Sequence, residues 1–555
     1  TISEIRRKYG VDVQVGEKNA EVVSNYRETF INSMGHLSKN LYSSATHFVM
    51  EIIQNGDDNR YENGIVPAMC FEMDVNLRQI TVRCNEIGFS EKDMISICHV
   101  GRSTKAGQAG YIGQKGIGWK SVFAVSDAPQ IHSGNFHVQF DSETFVIPRL
   151  LPAESSPAFS NEWRTSFVIP LKANQDIKSM CRELVEDISP QLLLFLKKLR
   201  RLDVVIKNDG RIDLIRSMTV SPGHVTSLKF SDGGEWHESS LFVWKSTIAN
   251  PEIKRGDVVV EETMVEIAFV LDEPSKNRYA YAFLPIRSYG LKCIVQADFL
   301  LTSARDNVSK YEAWNDFLRE RLVSAYCEVF EYMRNELGET LIAEVPQSKS
   351  LLHRSLFYAT LPLEDETLEY MKPFARDVMQ RMCNMSVILD KQGVWRQPDS
   401  VVTMLHVSAM DISEFKSFVS HEEMTSYGLY FMDDDFAVRS GMSESGLRAL
   451  GVHFFDAELL LDIADRKIEK GDLTPFWCEK MLLNFYKCYE SISNRTMREK
   501  VRKRLQNIPL LPVLLDGCLE YVSCLKYKVC SLPLAGSHEL SSVPYILREQ
   551  QLVLL

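Results

Sequence analysis

The 555-residue sequence contains no apolar run long enough to span a membrane. Its longest apolar clusters, QLLLFL at 191–196 and IPLLPVLL at 508–515, are less than half of the roughly 20 residues that a spanning helix requires. No secretory signal opens the chain, which begins at Thr1 rather than Met and is compatible with a segment of a longer protein. We therefore expect no membrane contact.

Positive charge is also scarce, because 63 Lys and Arg residues face 74 Asp and Glu residues, for a formal net charge of −11. No overall basic field therefore attracts nucleic acid or an anionic membrane. A nucleic-acid partner stays open only through a local basic patch, and the net charge does not favour it.

Paired cysteine motifs are missing as well. The twelve cysteines are scattered, and the evenly spaced Cys518, Cys524 and Cys530 have neither a CxxC pair nor nearby histidines. A zinc site is therefore not expected. Buried, reduced thiols are typical of cytoplasmic and nuclear proteins, so we expect one of these two locations.

The chain does contain ample apolar sequence, 45% of all residues, and its length predicts roughly three or four domains. Hydrophobic periodicity divides it into a helical arm at 1–30, a mixed region at 31–210, a strand-rich region at 211–335 and a mainly helical region at 336–555. The last region also contains two similar β-hairpin modules, at 387–402 and 512–527.

The segment HFVMEIIQNGDDNRY, residues 47–61, predicts a helix with an unusual polar face. At 3.6 residues per turn, Glu51, Asn55 and Asp58 fall within about 60° of one another, while the apolar residues face the other way. One interpretation is the solvated face of an amphipathic helix. The other is a site that uses a carboxylate, an amide and a second carboxylate together.

A glycine-rich stretch, GYIGQKGIGWKSVF, follows at 110–123. Gly113, Gly116 and Gly118 surround Lys115, and glycines allow backbone amides to approach a phosphate closely. The Walker pattern GxxxxGK[ST] is absent, and the stretch does not follow a strand that opens a βαβ unit. Taken alone, such a stretch is more often a surface turn than a phosphate-binding loop.

The order of these motifs is more specific than any one of them. E-x-x-x-N-x-x-D on a helix is followed by a strand that ends near Gly88, then by GRSTK, GQKGIG and RTSF. This order resembles the GHKL ATPase superfamily of gyrase B, heat-shock protein 90, histidine kinases and MutL. It is most similar to the NO VEIN and sacsin-like proteins, in which ELIQNADDN corresponds to EIIQNGDDN here, and the similarity extends over about residues 20–325.

The resemblance implies an α+β fold. A two-layer α/β sandwich of the histidine kinase-like (Bergerat) type would be followed by an α/β transducer-like middle domain and the mainly helical C-terminal region. It also implies a slowly hydrolysing module in which binding of ATP and Mg²⁺ closes a lid over 101–110 and rearranges the downstream domains, as a chaperone-like machine or a molecular switch. Protein partners or clients would bind the C-terminal region, and a homodimer is possible.

By position, the resemblance assigns Asn55 to Mg²⁺ and the phosphate oxygens, Glu51 to the attacking water and Asp58 to the nucleotide side of the helix. Arg305 resembles the middle-domain arginine that reaches the terminal phosphate, although an ion pair with Asp306 is the simpler interpretation. The other implied nucleotide contacts are Asn85, Gly88, Lys105, Gly113, Lys115, Gly116, Ile117, Gly118 and Thr165.

The base-recognition motif departs from the superfamily pattern DxGxG. The corresponding residues run from Cys84 through Asn85 and Glu86 to Gly88, and a thiol is a poor hydrogen-bond acceptor. Either the Asn85 oxygen or a bridging water could replace the missing aspartate. We therefore expect weak or unusual base selectivity, with the phosphate and Mg²⁺ contacts intact.

Three alternatives remain. A nucleotide-binding scaffold that does not hydrolyse would also fit the altered motif, although Glu51 argues against it. A histidine kinase is less consistent, because His36 and His47 lie too close to the 47–61 helix to be a separate phosphoacceptor. A nucleic-acid remodeller related to MutL is disfavoured by the acidic net charge.

Overall fold

A computed structural model describes residues 1–9, 11, 25, 28–29, 47–99, 118–152, 162–221, 225–232, 234–250, 252–256, 258–302, 305–335, 358–404, 419–433, 436, 441–515 and 518–525. The chain divides into two compact units. The first comprises Thr1–Glu331 and Glu364–Ala375, and the second comprises Tyr332–Leu363 and Arg376–Leu555.

The first unit contains sixteen described strands. They are β1 (Ala68–Asp74), β2 (Gln79–Cys84), β3 (Gln130–Ser133), β4 (Phe136–Gln139), β5 (Arg149–Leu150), β6 (Thr165–Pro170), β7 (Arg201–Asn208), β8 (Arg211–Ser221), β9 (Val225–Asp232), β10 (Glu235–Ala249), β11 (Lys254–Arg255), β12 (Val258–Val259), β13 (Glu262–Val270), β14 (Tyr279–Ala282), β15 (Leu284–Ser288) and β16 (Ile294–Ala297). All except β11 and β12 belong to one mixed sheet of order β15-β14-β16-β13-β10-β9-β8-β7-β1-β2-β6-β3-β4-β5. Only the β1–β7 and β14–β16 pairs are parallel among the described strands of this sheet.

The helices of the first unit are α1 (Ile2–Lys8), α2 (His47–Asp58), α3 (Glu91–Ile97) and α4 (Ile177–Asp187), with 3₁₀ helices at Gly118–Ala124, Pro190–Leu194 and Glu369–Met371. Two further helices, α5 (Ala313–Asn335) and α6 (Lys372–Cys383), begin in this unit and continue into the second. Ser90 begins α3 with a capping box, in which its hydroxyl accepts from the Asp93 amide while the Asp93 carboxylate accepts from the Ser90 amide.

The domain boundary predicted at 210/211 lies inside the large sheet. β7 and β8 form an antiparallel hairpin whose turn is Asp209–Gly210, with φ angles of 48° and 72°. The backbone hydrogen-bond ladder therefore continues across the predicted boundary, and both regions belong to the first unit. Hydrophobic alternation locates strands but does not reveal which strands pair, which is why the separation at 210 does not match the structure.

The return segment Glu364–Ala375 also departs from the predicted division, because it belongs to the first unit rather than to the C-terminal region. Gly290 shows how closely the segment approaches. Its φ is +83°, and a β-carbon there would lie 2.0 Å from the backbone oxygen of Glu366. The Leu368 amide donates to the Tyr289 carbonyl at 2.7 Å, so this approach is fixed by backbone contacts.

Helix α2 packs its apolar face into the core of the first unit. Val49, Ile52 and Ile53 are buried there, as the periodicity predicts. Gly56 lets the helix lie close to β1, because a β-carbon at this position would come within 2.4 Å of the Met69 sulfur. This close packing against β1 fixes the position of the opposite, polar face of α2 relative to the sheet.

The end of α2 is fixed by Asp57, a residue that the sequence does not distinguish from its neighbour Asp58. The Asp57 carboxylate is buried and accepts hydrogen bonds from the backbone amides of Lys197, Lys198 and Leu199 at 2.7–2.9 Å. Three amide donors satisfy a buried carboxylate without a cation. This contact joins α2 to the segment that leads into β7.

The second unit is mainly helical, with helices α7 (His421–Ser426), α8 (Glu444–Leu450), α9 (Ala457–Lys470), α10 (Pro475–Glu490) and α11 (Arg495–Asn507) and a 3₁₀ helix at Pro398–Ser400. Its short strands are β17 (Ile388–Leu389), β18 (Trp395–Arg396), β19 (Val401–Thr403), β20 (Tyr430–Phe431), β21 (His453–Phe454), β22 (Leu511–Leu515) and β23 (Cys518–Val522). The β17–β18 and β22–β23 hairpins lie at the two positions where hairpin modules were predicted.

Each of the five helices α7 to α11 begins with a side-chain cap, in which a Ser, Thr, Asp or Asn oxygen accepts a backbone amide. Glycines with φ near +89° and +73°, Gly451 and Gly471, end α8 and α9. The apolar faces of α9 and α10 form the core of this unit. Among the described helices of the whole chain, none is both long enough and apolar enough to cross a bilayer.

Candidate functional site

The polar face of α2 combines buried acids with one accessible amide. Glu51 is only 8% exposed and Asp58 only 7%, which excludes a simple solvated helix face. Asn55 is half-buried, and its side chain forms no hydrogen bond with any described residue. An amide with two unused polar groups beside a buried carboxylate can therefore bind a ligand.

Arg305 reaches this face from a position 254 residues further along the chain. Its guanidinium donates to Glu51 Oε1 at 2.7 Å and to the Gln54 side-chain oxygen at 2.8 Å. The simpler interpretation, an ion pair with Asp306, is not what the structure shows, because Asp306 accepts a hydrogen bond from the Thr302 hydroxyl instead. The backbone of Arg305 is left-handed, with φ of 58°, and its amide donates to the Thr302 carbonyl.

Gln54 completes this cluster, and sequence analysis did not select it. The residue is 1% exposed, its side-chain oxygen accepts from Arg305, and its side-chain nitrogen has no hydrogen-bond partner among the described residues. A buried, unpaired amide donor is unfavourable unless a ligand or water fills the position. The only signal available in the sequence was its spacing, three residues after Glu51 on the same helix.

The residues that replace DxGxG have separate partners. The Cys84 thiol is 3.4 Å from the Tyr61 hydroxyl, which also donates to the Gly56 carbonyl. Burial raises the pKa of the Cys84 thiol to about 12, so it stays neutral. The Asn85 side chain accepts from the Ala68 amide at 2.8 Å and donates to the Val66 carbonyl at 2.9 Å. Asn85 thus holds the start of β1, although it was predicted as a possible base contact.

Glu86 is the third residue of this run, and its carboxylate lies at the end of a chain of hydroxyl groups. Thr165 donates to Glu86 Oε1 at 2.5 Å, and the Ser133 and Thr165 oxygens are 2.6 Å apart. The Phe89 amide donates to the Ser133 oxygen at 2.8 Å. Burial raises the pKa of Glu86, opposed by the hydrogen bonds from Thr165 and the Gly88 backbone.

The structure describes only some of the remaining predicted residues. Gly88 has a φ of +95°, a conformation that favours glycine, and its amide approaches Glu86. Gly118 begins a 3₁₀ helix, and two residues later the Lys120 ammonium donates to the Ile97 carbonyl. Burial lowers the pKa of Lys120 to about 8. The other five, Lys105, Gly113, Lys115, Gly116 and Ile117, lie outside the described residues, as does the predicted lid.

The described donor set suits a magnesium ion only together with a ligand. No group of three or more His, Cys, Asp or Glu side chains among the described residues could hold a metal by itself. Mg²⁺ accepts one or two protein oxygens when phosphate oxygens and waters complete its shell, and the unused Asn55 oxygen fits that requirement. All eleven cysteines in the described part of the chain carry free thiols.

Together, fold and site define a mixed α/β protein with a large sheet, over which one helix presents an accessible amide beside a buried carboxylate–arginine pair. Residues 37–168, which include α2, Glu86 and Thr165, match the family described as the Sacsin domain.

The chain is 28% identical to Protein NO VEIN of Arabidopsis thaliana over 561 residues, which cover 92% of this chain and 19% of that protein. It is also 28% identical to Sacsin of Homo sapiens over 134 residues, which cover 22% of this chain and 3% of that protein. The chain therefore spans about a fifth of the length of NO VEIN and a small fraction of sacsin. These matches confirm the NO VEIN-like and sacsin-like part of the predicted resemblance.

Proposed function

We propose that the first unit binds Mg²⁺-ATP and hydrolyses it slowly, as a module of the GHKL type. The observation that carries the proposal is the contact between Arg305 and Glu51, at 2.7 Å, on the same helix face as the unused amide of Asn55. A buried base, an arginine from a distant segment and an oxygen donor are the groups that phosphoryl transfer to water requires.

Each residue then has a chemical role. Asn55 would provide an oxygen to Mg²⁺, which neutralises charge on the phosphates when it is bound. Glu51 would accept a proton from a water whose oxygen attacks the terminal phosphorus, while the bond to the diphosphate leaving group breaks. Arg305 would stabilise the charge that develops on the transferred group. Because Arg305 holds Glu51 before a ligand arrives, a phosphate that draws Arg305 away would free the base.

The exchange of Glu51 for a phosphate as the partner of Arg305 would also couple the bound nucleotide to the conformation of the first unit. Glu51 lies on α2, which precedes β1, and Arg305 follows β16, which five strands separate from β1 in the sheet order, so a change in their contact affects two separate parts of one unit. We propose a chaperone-like or switch function in the cytoplasm or nucleus, with protein partners or clients that bind the C-terminal region. A homodimer is compatible with this function.

The first experiment is calorimetry of the full 555-residue chain with ATP and Mg²⁺ at millimolar concentration. We expect measurable binding by wild type and a loss of at least about tenfold in Asn55→Ala, because a ligand of the metal is removed. Asn384→Ala in the second unit is the control and should bind like wild type. No binding by wild type, or equal binding by Asn55→Ala, would overturn the proposal.

A non-hydrolysing nucleotide-binding scaffold is the second candidate function. Two observations favour it: Cys84 has replaced the acidic base contact, and Glu51 is already occupied by Arg305. Steady-state phosphate release separates the two functions. Hydrolysis predicts a rate in Glu51→Ala that is lower by about 100-fold or more, whereas equal background release from both proteins supports the scaffold.

A further inference from the structure

We propose that Glu86 reads the nucleobase, by accepting a hydrogen bond from an exocyclic amino group, and that Thr165 and Ser133 hold its carboxylate in place. This inference rests on the proposed nucleotide function and names the base class of the same site: an aminopurine such as adenine. It moves the acceptor two residues along the chain from the position at which DxGxG has its aspartate.

Elimination within the run 84–86 supports Glu86. Cys84 is a neutral, buried thiol beside Tyr61, and both polar groups of the Asn85 amide bond to the backbone around β1. Glu86 retains an acceptor that no side chain uses, because among the described residues only its Oε1 has a side-chain hydrogen-bond partner. Of the three, only Glu86 presents a carboxylate oxygen for an amino group.

The sheet places this group near the end of α2. Thr165 begins β6, and it lies opposite Cys84 of β2 on one side and Ser133 of β3 on the other. Successive side chains alternate between faces, so Thr165 shares a face with Phe167, which belongs to the same core as the apolar side of α2. The Tyr61 hydroxyl contacts both Cys84 and the Gly56 carbonyl, which joins the group to α2 itself.

The direction of the hydrogen bonds favours an ionised acceptor. Thr165 has one hydroxyl proton and donates it to Glu86, so Ser133 must donate to Thr165. The Ser133 oxygen in turn accepts from the Phe89 amide. Every donor in this chain points towards the carboxylate, which is the arrangement that supports a negative charge, and no described side chain uses its second oxygen.

Glu86 has fewer stabilising partners than three other buried acids of the described chain. A cation balances two of them, Glu266 through Lys245 at 2.9 Å and Asp390 through Arg396 at 2.8 Å, and three backbone amides satisfy Asp57. Glu86 is 3% exposed, yet no described cation forms an ion pair with it. A buried carboxylate without a cationic partner is unfavourable for folding, and such groups are concentrated at functional sites.

The test compares three probes, each with Mg²⁺: ATP, ITP, which has a carbonyl where adenine has its amino group, and tripolyphosphate, which has no base. Wild type should prefer ATP over ITP by about tenfold or more, the value of a hydrogen bond to a charged group. Glu86→Gln should bring this ratio close to one and leave tripolyphosphate binding unchanged. It should also raise the melting temperature, because a buried charge is removed.

Glu72→Gln is the matched control, since Glu72 lies in the same sheet but pairs with Arg83 and Lys207. It should lower stability and leave the ATP/ITP ratio unchanged. If wild type binds none of the three probes, the nucleotide function itself is wrong. If ATP binds but Glu86→Gln keeps the wild-type ratio, or weakens tripolyphosphate equally, base reading by Glu86 is wrong and its role is structural.

Discussion

Glu51 and Glu86 are two buried carboxylates of the first unit that are satisfied in opposite ways. Glu51 pairs with a guanidinium that comes from 254 residues away, whereas Glu86 accepts from a neutral hydroxyl and a neighbouring backbone amide. A charged partner can leave when another anion competes for it. A neutral chain of donors on two adjacent strands, β3 and β6, and in the loop after β2 has no such competitor.

This difference indicates different tasks. The pair at Glu51 is suited to exchange, because Arg305 is 28% exposed at its side chain and a phosphate could replace the carboxylate. The group at Glu86 is suited to recognition, because its described partners are neutral groups that a competing anion does not displace. One end of the proposed site would thus respond to the phosphates, and the other would select the base.

The largest expected effect on stability comes from removing the cation of the first pair. Arg305→Leu leaves Glu51 buried without a charged partner, and we expect unfolding free energy to fall by about 2 kcal/mol. This is below the range for fully buried pairs because the guanidinium is partly exposed. Urea denaturation at pH 7 measures the change.

The double variant Glu51→Gln/Arg305→Leu sharpens this measurement. Once the carboxylate is neutral, the loss of the cation should destabilise the protein much less, so the two changes should be non-additive. Arg305→Lys keeps a charge but not the forked geometry, and it should lie between wild type and Arg305→Leu. Additive losses in the double variant would contradict a direct pair.

The contacts of Glu51 show how far sequence reasoning reaches. The 3.6-residue period places Glu51, Asn55 and Asp58 on one face of α2 and the apolar residues on the other, and the structure agrees. Arg305 was identified only by resemblance, and its actual partner was not foreseen. No local pattern connects positions separated by 254 residues, because their contact depends on the closure of a long chain.

Two pairs of neighbouring residues, 57/58 and 85/86, show even more clearly that sequence reasoning does not identify long-range contacts. The sequence favoured Asp58 over Asp57 and Asn85 over Glu86, yet Asp57 joins α2 to 197–199 and Asn85 holds the start of β1. In each pair the two residues are polar and occupy adjacent positions. Which of them bonds to distant backbone depends on the rotation of the helix or on the path of the loop against the rest of the fold, and neither is visible in composition or spacing.

The second prediction concerns Glu86 and depends on pH. Thr165→Val keeps the shape of the side chain but removes the hydroxyl donor, and we expect a loss of about 1.5 kcal/mol at pH 7. The Thr165 bond lowers the pKa of Glu86 against the opposing effect of burial. Its stabilisation is therefore present while Glu86 is ionised and diminishes as the pH falls through the raised pKa of that group.

Thr81→Val is a suitable control for this pH effect. Thr81 is also a buried threonine of the same sheet, but its hydroxyl accepts from the neutral Gln79 amide. Its loss of stability should be the same at pH 4.5 and pH 7. A pH-independent loss in Thr165→Val as well would mean that Glu86 is already neutral at pH 7, and an ionised base reader would then be contradicted.

The smallest expected effect concerns Gln54. A variant at this position tests whether Gln54 helps to hold the Arg305 side chain, apart from the charge pairing between Arg305 and Glu51. Gln54→Leu removes one acceptor of the guanidinium but also removes a buried amide nitrogen that lacks a partner, so the net loss should be only about 0.5–1 kcal/mol. In an Arg305→Leu background the same change should have almost no effect, because the oxygen of Gln54 then has no cation to hold. Gln54→Glu, which offers Arg305 a second carboxylate, should strengthen the contact and slow any ligand-driven release. An equal loss from Gln54→Leu in both backgrounds would show that Gln54 contributes only to packing, and the contrast between the two ends of the site would then depend on Glu51 alone.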